Sequence, residues 1–150
     1  VVLDEATIRG IFGESIPFLR KVRVVVEKAE PGSVRLVLPY EKDNENYWGT
    51  GHAGAIFTFG ETCGGVLVAA SFPVADLVLL AKGATIHYVK KVDSDIVSEL
   101  GISQAEVDDI MGRLQKEESL VYPISMELNN RGGETVARMT IDYYFRIRRP

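Results

Sequence analysis

One cysteine, two histidines and one tryptophan are the chain's whole stock of the residue types that most often mark a chemical site, in a sequence of 150 residues. A lone Cys63 excludes an intramolecular disulfide and any cysteine-rich metal centre. That suits a reducing compartment, and a cytoplasmic location is expected. A single cysteine in an apolar run reads as core packing, and no base stands near it in sequence to make it a nucleophile. Basic charge is also scarce. Lys and Arg total 17 against 21 Asp and Glu, a net charge of −4, so no cationic excess exists to displace counterions and nucleic acid is not expected as a partner. The one basic cluster, Arg146, Arg148 and Arg149, is either a solvated tail or a small phosphate-contacting patch. No internal repeat or low-complexity linker occurs. The opening "VVLDEATIRG" has neither a basic n-region nor a long apolar run, so no secretory leader is expected there.

What is present reads as a globular domain. Hydrophobic residues make up 46% and charged residues 25%, ordinary values that, at this length, predict one domain over residues 1–150 with a real core. The most apolar stretch runs from Ala53 to Phe72. As a helix it would reach about 30 Å, enough to cross a bilayer. Glu61, four glycines and the lack of basic flanks weigh against a membrane span. A helix apolar on nearly every side and covered on nearly every side accounts for it better.

The remaining elements follow from periodicity. Ile8, Ile11, Phe12, Ile16 and Leu19 predict an amphipathic N-terminal helix from Asp4 to Leu19, broken near Pro17. Two β-branched runs, near Val22–Ala29 and Val34–Tyr40, flank Glu30-Pro31-Gly32-Ser33, where Pro before Gly suits a type II turn. A third strand is predicted from Gly83 to Val92. Residues 93–118 break the strand pattern and read as a surface insertion carrying a helix. Ser103 and Glu106 form a capping box there, Ile102 and Val107 a hydrophobic staple, and the helix runs to about Lys116. Leu120 to Leu128 and Ala137 to Ile147 alternate apolar and polar around Asn129-Asn130-Arg131-Gly132-Gly133, predicting a long hairpin with one buried face. The sum is an α+β chain, five to six mostly antiparallel strands curved around one long apolar helix.

The loop entering that helix, "NYWGTGHAGAIFTFGE", resembles the signature of hotdog-fold acyl-CoA thioesterases of the phenylacetate-degradation type. The matching positions are Asn46, Gly49, Thr50, His52, Ala53, Gly54 and Glu61. The family often has Gly where this chain has Ala53, and with its longer 93–118 segment the chain is more similar to the uncharacterised thioesterase-like branch of that superfamily. Hotdog dehydratases also place a His before an apolar helix bearing an acid, but with His-Phe-Pro where this chain has His52-Ala53-Gly54. The resemblance implies a hotdog fold, a homodimer or dimer of dimers, and hydrolysis of an acyl-CoA or acyl-carrier thioester. It implies no cofactor, since coenzyme A enters as part of the substrate, and it places Glu61 across a dimer interface from the loop of the other subunit. A non-catalytic module that binds such a ligand is the alternative.

The chemistry suggests roles for particular residues. The first turn of a helix offers free N–H groups and a positive dipole end, so the amides of Ala53 and Gly54 are candidate donors to a thioester oxyanion. Glu61 is a candidate general base or nucleophile, its acidity weakened by apolar surroundings; the structural alternative is a buried acid with its hydrogen bonds satisfied. On a helical wheel it shares a face with Gly54, Phe57, Thr58, Gly65 and Val68, which leaves room for substrate. Asn46 and His52 either orient substrate or water, or hold the loop. Lys90 and Lys91 either meet the phosphates of coenzyme A or are solvated. His87 reads as a sheet-face residue. No metal site is expected: His52, His87 and Glu61 show no known ligand spacing.

Overall fold

The computed structural model describes residues 1–149. The N-terminal helix is broken where the proline predicts. Helix α1, Glu5–Gly10, starts at Asp4, whose carboxylate caps the Thr7 N–H at 2.8 Å. One wide turn, Ile11–Ser15, follows. Helix α2, Pro17–Val22, has Pro17 in its first turn, where the missing N–H costs nothing. It ends at Arg23, the one non-glycine residue at positive φ among the described residues. Strands β1, Val25–Glu30, and β2, Ser33–Leu38, form the expected hairpin, with Gly32 at φ 79° as a type II turn requires.

Helix α3, Ala53–Ser71, is the central element. By length and composition it could cross a membrane, yet 67% of its most apolar window is buried inside the fold. Phe59, Cys63, Val66, Leu67 and Ala70 are wholly buried. Two glycines set its approach to the sheet. A Cβ at Gly60 would lie 2.5 Å from the Met139 sulfur, and one at Gly64 2.5 Å from the Tyr143 hydroxyl. Four residues apart, they form a flat strip that lets the helix backbone rest on the strand that carries Met139 and Tyr143, a gain set against about 1 kcal/mol per glycine in helix propensity.

Among the described residues the sheet has six strands, all antiparallel, in the order β1-β2-β4-β5-β6-β3, where β3 is Leu77–Tyr88, β4 Ile96–Gly101, β5 Leu120–Asn130 and β6 Thr135–Ile147. Strand β3, Leu77–Tyr88, begins six residues before the predicted start and ends four residues before the predicted end at Val92. Leu77 to Leu80 do not alternate, which hid the start: only Leu77 of these is fully buried. The larger correction concerns residues 93–118. They are no surface insertion: Ile96–Gly101 is strand β4, near the middle of the sheet. It pairs with β2 over six positions and with β5 over only two, Ile96 with Asn130 and Val97 with Asn129. Ile96, Val97 and Ser98 are buried consecutively, so the period-2 signature of a strand with one wet face is absent. Helix α4, Gln104–Leu114, then follows with the predicted capping box, and Ile102 and Val107 are both buried.

Strands β5, Leu120–Asn130, and β6, Thr135–Ile147, form the long hairpin. Ala137, Met139, Ile141, Tyr143 and Phe145 face α3 and are buried. Their partners on β3 are Tyr88, Ile86, Ala84, Ala81 and Leu79, which therefore share that face.

Candidate active site

The polar loop before α3 is built by one side chain. The Asn46 carbonyl oxygen accepts from the N–H groups of Trp48 (2.9 Å) and Thr50 (3.1 Å), and its amide donates to the Thr50 hydroxyl (2.8 Å). Asn46 thus holds the loop together. Gly49 takes φ 71°, and the Tyr40 hydroxyl lies 2.7 Å from its carbonyl. Thr50 is engaged with Asn46. The loop is anchored to the domain through Gly51, whose N–H donates to the Val92 carbonyl at 2.7 Å; a Cβ there would lie 2.8 Å from that of Val92. At its tip Tyr47 and Trp48 pack edge to face with centroids 5.5 Å apart, and both are largely exposed.

His52 caps α3. Its Nδ1 accepts from the Gly54 N–H at 2.9 Å, so that nitrogen carries no proton and a neutral ring bears it on Nε2. A Cβ on Gly54 would lie 3.1 Å from Nδ1, a tight contact that the ring would have to yield to by a few tenths of an ångström. The sequence names Ala53 and Gly54 as two donors to an oxyanion; the structure engages the second in the cap. The Ala53 N–H has no acceptor among the described residues.

From that start an open stripe runs along α3. Ala53, Gly54 and Phe57 are exposed, Thr58 and Glu61 are half-buried, and every other residue from Ala55 to Gly64 is buried. The wheel places Gly54, Phe57, Thr58 and Glu61 together, and the stripe closes at Gly65, where a Cβ would lie 3.3 Å from the Phe12 ring. Val68, assigned to the same face, lies beyond that closure and is buried. The Thr58 hydroxyl donates to the Gly54 carbonyl at 2.8 Å.

Glu61 stands apart from the other carboxylates. No hydrogen bond or ion pair reaches its side chain among the described residues, and burial alone raises its pKa above the ordinary glutamate value. Beneath it, the Tyr143 hydroxyl donates to the Glu61 backbone carbonyl at 3.3 Å. That phenol is pushed up by burial and then by the Glu61 charge, so it remains a protonated donor. Cys63 is completely buried and its thiol is pushed up by desolvation, which makes it inert packing.

The other candidates lie elsewhere. Lys90 is paired with Glu134, and Lys91 stands 3.8 Å from Asp93; all four are exposed. His87 is opposite Arg138, on the sheet face away from α3. Among the described residues no group of three or more His, Cys, Asp or Glu stands close enough to hold a metal ion. Of the C-terminal arginines, Arg148 donates to the Leu77 carbonyl at 3.4 Å. Sequence reasoning overlooked Tyr88, whose hydroxyl donates to the Ala53 carbonyl at 2.9 Å. Its alternation with Ile86 was the available signal.

The architecture has close counterparts. A protein of unknown function from Pseudomonas aeruginosa, described as a probable thioesterase, is 28% identical and superposes with a TM-score of 0.93, over 99% of both chains. A hypothetical thioesterase from Streptococcus pneumoniae is 18% identical, with a TM-score of 0.63 over 83% of this chain and 92% of that one. A variant of another Pseudomonas aeruginosa thioesterase is 11% identical, with a TM-score of 0.72 over 99% of this chain and 97% of that one. The fold is therefore the hotdog fold of thioesterase-like proteins. No curated protein matches the sequence. The family model for a domain of unknown function, DUF4442, matches residues 5–145, and the chain belongs to that family.

Proposed function

We propose that this protein hydrolyses an acyl thioester of coenzyme A or of an acyl carrier, at sites shared between two copies of the chain. The observation that carries the reading is Glu61: a half-buried carboxylate with no partner, on the one open stripe of a helix whose first N–H group is unused. Burial raises its pKa above the ordinary glutamate value, the direction that suits a general base. Water would add to the thioester carbonyl carbon while Glu61 takes its proton. The Ala53 N–H, at the positive end of the helix, would stabilise the oxyanion. The C–S bond then breaks and the thiol leaves.

One chain cannot perform this alone. Ala53 and Glu61 are eight residues apart on α3, about 12 Å along the axis at about 1.5 Å per residue. A carbonyl touching the Ala53 amide is too far from a water held by the same chain's Glu61. Two helices lying antiparallel, each open stripe facing the other, bring Glu61 of one copy to the helix start of the other. The exposed edge strand β3 supports such pairing, since it carries a β neighbour on one side only. Phe57 and Thr58 would then line the acyl pocket, while Asn46, Gly49 and Thr50 act by shaping the loop. Lys90 and Lys91 would have to exchange their carboxylate partners for phosphates, so they contribute little. A cytoplasmic site of action goes with this reading.

The alternative is a module that binds the thioester without cleaving it. It is favoured by His52 occupying the Gly54 amide, which leaves only one of the two named donors free. A panel of acyl-CoA substrates assayed with the native protein and Glu61→Gln separates the two. Loss of the general base predicts a fall of roughly 10²–10⁴ in rate. Equal rates would remove Glu61 from the mechanism, and tight retention without turnover would establish the binding module.

A further inference from the structure

The peptide groups on either side of Ala53 carry two N–H groups and two carbonyls, and three of the four are engaged. The His52 carbonyl accepts from the Ile56 N–H at 3.1 Å. The Gly54 N–H donates to His52 Nδ1 at 2.9 Å. The Ala53 carbonyl accepts from the Tyr88 hydroxyl at 2.9 Å, a contact between residues 35 positions apart that adds to the Phe57 N–H bond of the helix itself. Only the Ala53 N–H is left over. The first turn of a helix is ordinarily its least restrained part, because its N–H groups have no intrahelical partners. Here the 53–54 peptide is gripped at both polar atoms, by a ring from its own loop and by a phenol from strand β3.

Tyr88 is well placed to do this and little else. It is the last residue of β3, on the face turned toward α3, and is about half exposed. Its side chain therefore contributes little to the core. Partial burial raises the phenol above its ordinary value, so the group stays a donor at physiological pH.

We propose that Tyr88 is a positioning residue: by holding the Ala53 carbonyl it fixes the first turn of α3, and so aims the Ala53 N–H at the developing oxyanion. This rests on the hydrolase reading above, in which Tyr88 touches no substrate atom. A further consequence concerns β3, the strand open to a second copy, which is also the strand that sets the oxyanion donor.

The test is Tyr88→Phe, which keeps the ring and removes the donor, read in two ways beside the native protein and Glu61→Gln. Steady-state kinetics on the best acyl-CoA substrate should show kcat lowered about tenfold, the size expected for one net hydrogen bond, with KM nearly unchanged. Amide hydrogen exchange, followed by NMR, should show the Gly54 N–H exchanging about tenfold faster as the clamp loosens. An unchanged kcat, a change confined to KM, or an unchanged Gly54 exchange rate each overturns the proposal. Should Glu61→Gln abolish hydrolysis while Tyr88→Phe leaves kcat intact, the positioning role fails and the hydrolase reading stands. Should the native protein turn over no thioester, that reading fails by itself, and the clamp is judged on Gly54 exchange alone. Tyr88→Leu serves as a second variant: slower turnover in Leu with native turnover in Phe would assign the effect to ring packing and overturn the hydroxyl's role.

Discussion

Strand β1 ends the sheet on one side and strand β3 on the other, and the molecule treats the two edges differently. At β1, helix α1 lies along the edge and occupies its free backbone groups: the Glu5 carboxylate accepts from the Ala29 N–H at 3.0 Å, and the Arg9 guanidinium donates to the carbonyls of Val26 and Glu27. At β3, a strand of twelve residues, the positions from Leu80 to Thr85 are exposed and no element among the described residues covers them. An uncovered edge of this length invites another strand, and blocking only one edge directs where that strand can join. The contrast extends to two glutamates. Glu5 is held below the ordinary value, chiefly by the Ala29 N–H and then by Arg9, while Glu61 is raised by burial with nothing to offset it. One carboxylate closes an edge; the other has no partner among the described residues.

The largest expected effect comes from blocking the open edge. Ala84→Pro and Thr85→Pro are made separately, because alternate N–H groups along an edge strand point outward. With the proposed dimer expected of the native chain, the variant that keeps its circular-dichroism spectrum should sediment as a monomer and should lose the proposed hydrolysis. A well-folded dimer in both variants would exclude β3 as the pairing edge. A smaller effect is expected in the stability of Glu61→Gln. Because the folded pKa of Glu61 is raised, the ionised carboxylate favours the unfolded chain, from the ordinary glutamate value upward. The variant should therefore melt a few degrees higher at neutral pH. The gain should vanish as pH falls below the ordinary carboxylate range, and a variant that melts lower at neutral pH would show that Glu61 has a stabilising partner. The smallest effect, of opposite sign, is expected for Glu5→Gln. A depressed carboxylate stabilises above its unfolded value and loses that contribution as pH falls through its folded value. Glu5→Gln should thus melt slightly lower at neutral pH and like the native protein in acid. Equal melting at neutral pH would mean that the charge at the closed edge is idle.

Much of this was readable before any coordinates, and the parts that were share a feature. The Ser103–Glu106 capping box, the Pro31-Gly32 turn and the apolar run from Ala53 depend on residues within a few positions of one another. The open stripe of α3 was legible for the same reason: helical period alone puts Gly54, Phe57, Thr58 and Glu61 on one face. Strand β4 was not legible, because Ile96, Val97 and Ser98 are buried in succession and the pairing that makes them a strand comes from β2, sixty residues earlier. The role of His52 stood between orienting substrate and holding the loop; its contact with the Gly54 N–H places Nδ1 in the second role. Asn46 is likewise engaged inside the loop that it helps to name.

By itself, then, the amino-acid order determined which segments are helix, turn and hairpin, and which residues share the face that carries Glu61, because those properties follow from bonds and periods local to the chain. The tertiary structure alone decided which groups remain free to act. Whether the Ala53 amide is left unpaired, whether an edge is covered, and whether a glutamate is stabilised or stranded all depend on partners tens of residues away. The cost of burying a polar group is set by whether such a partner arrives.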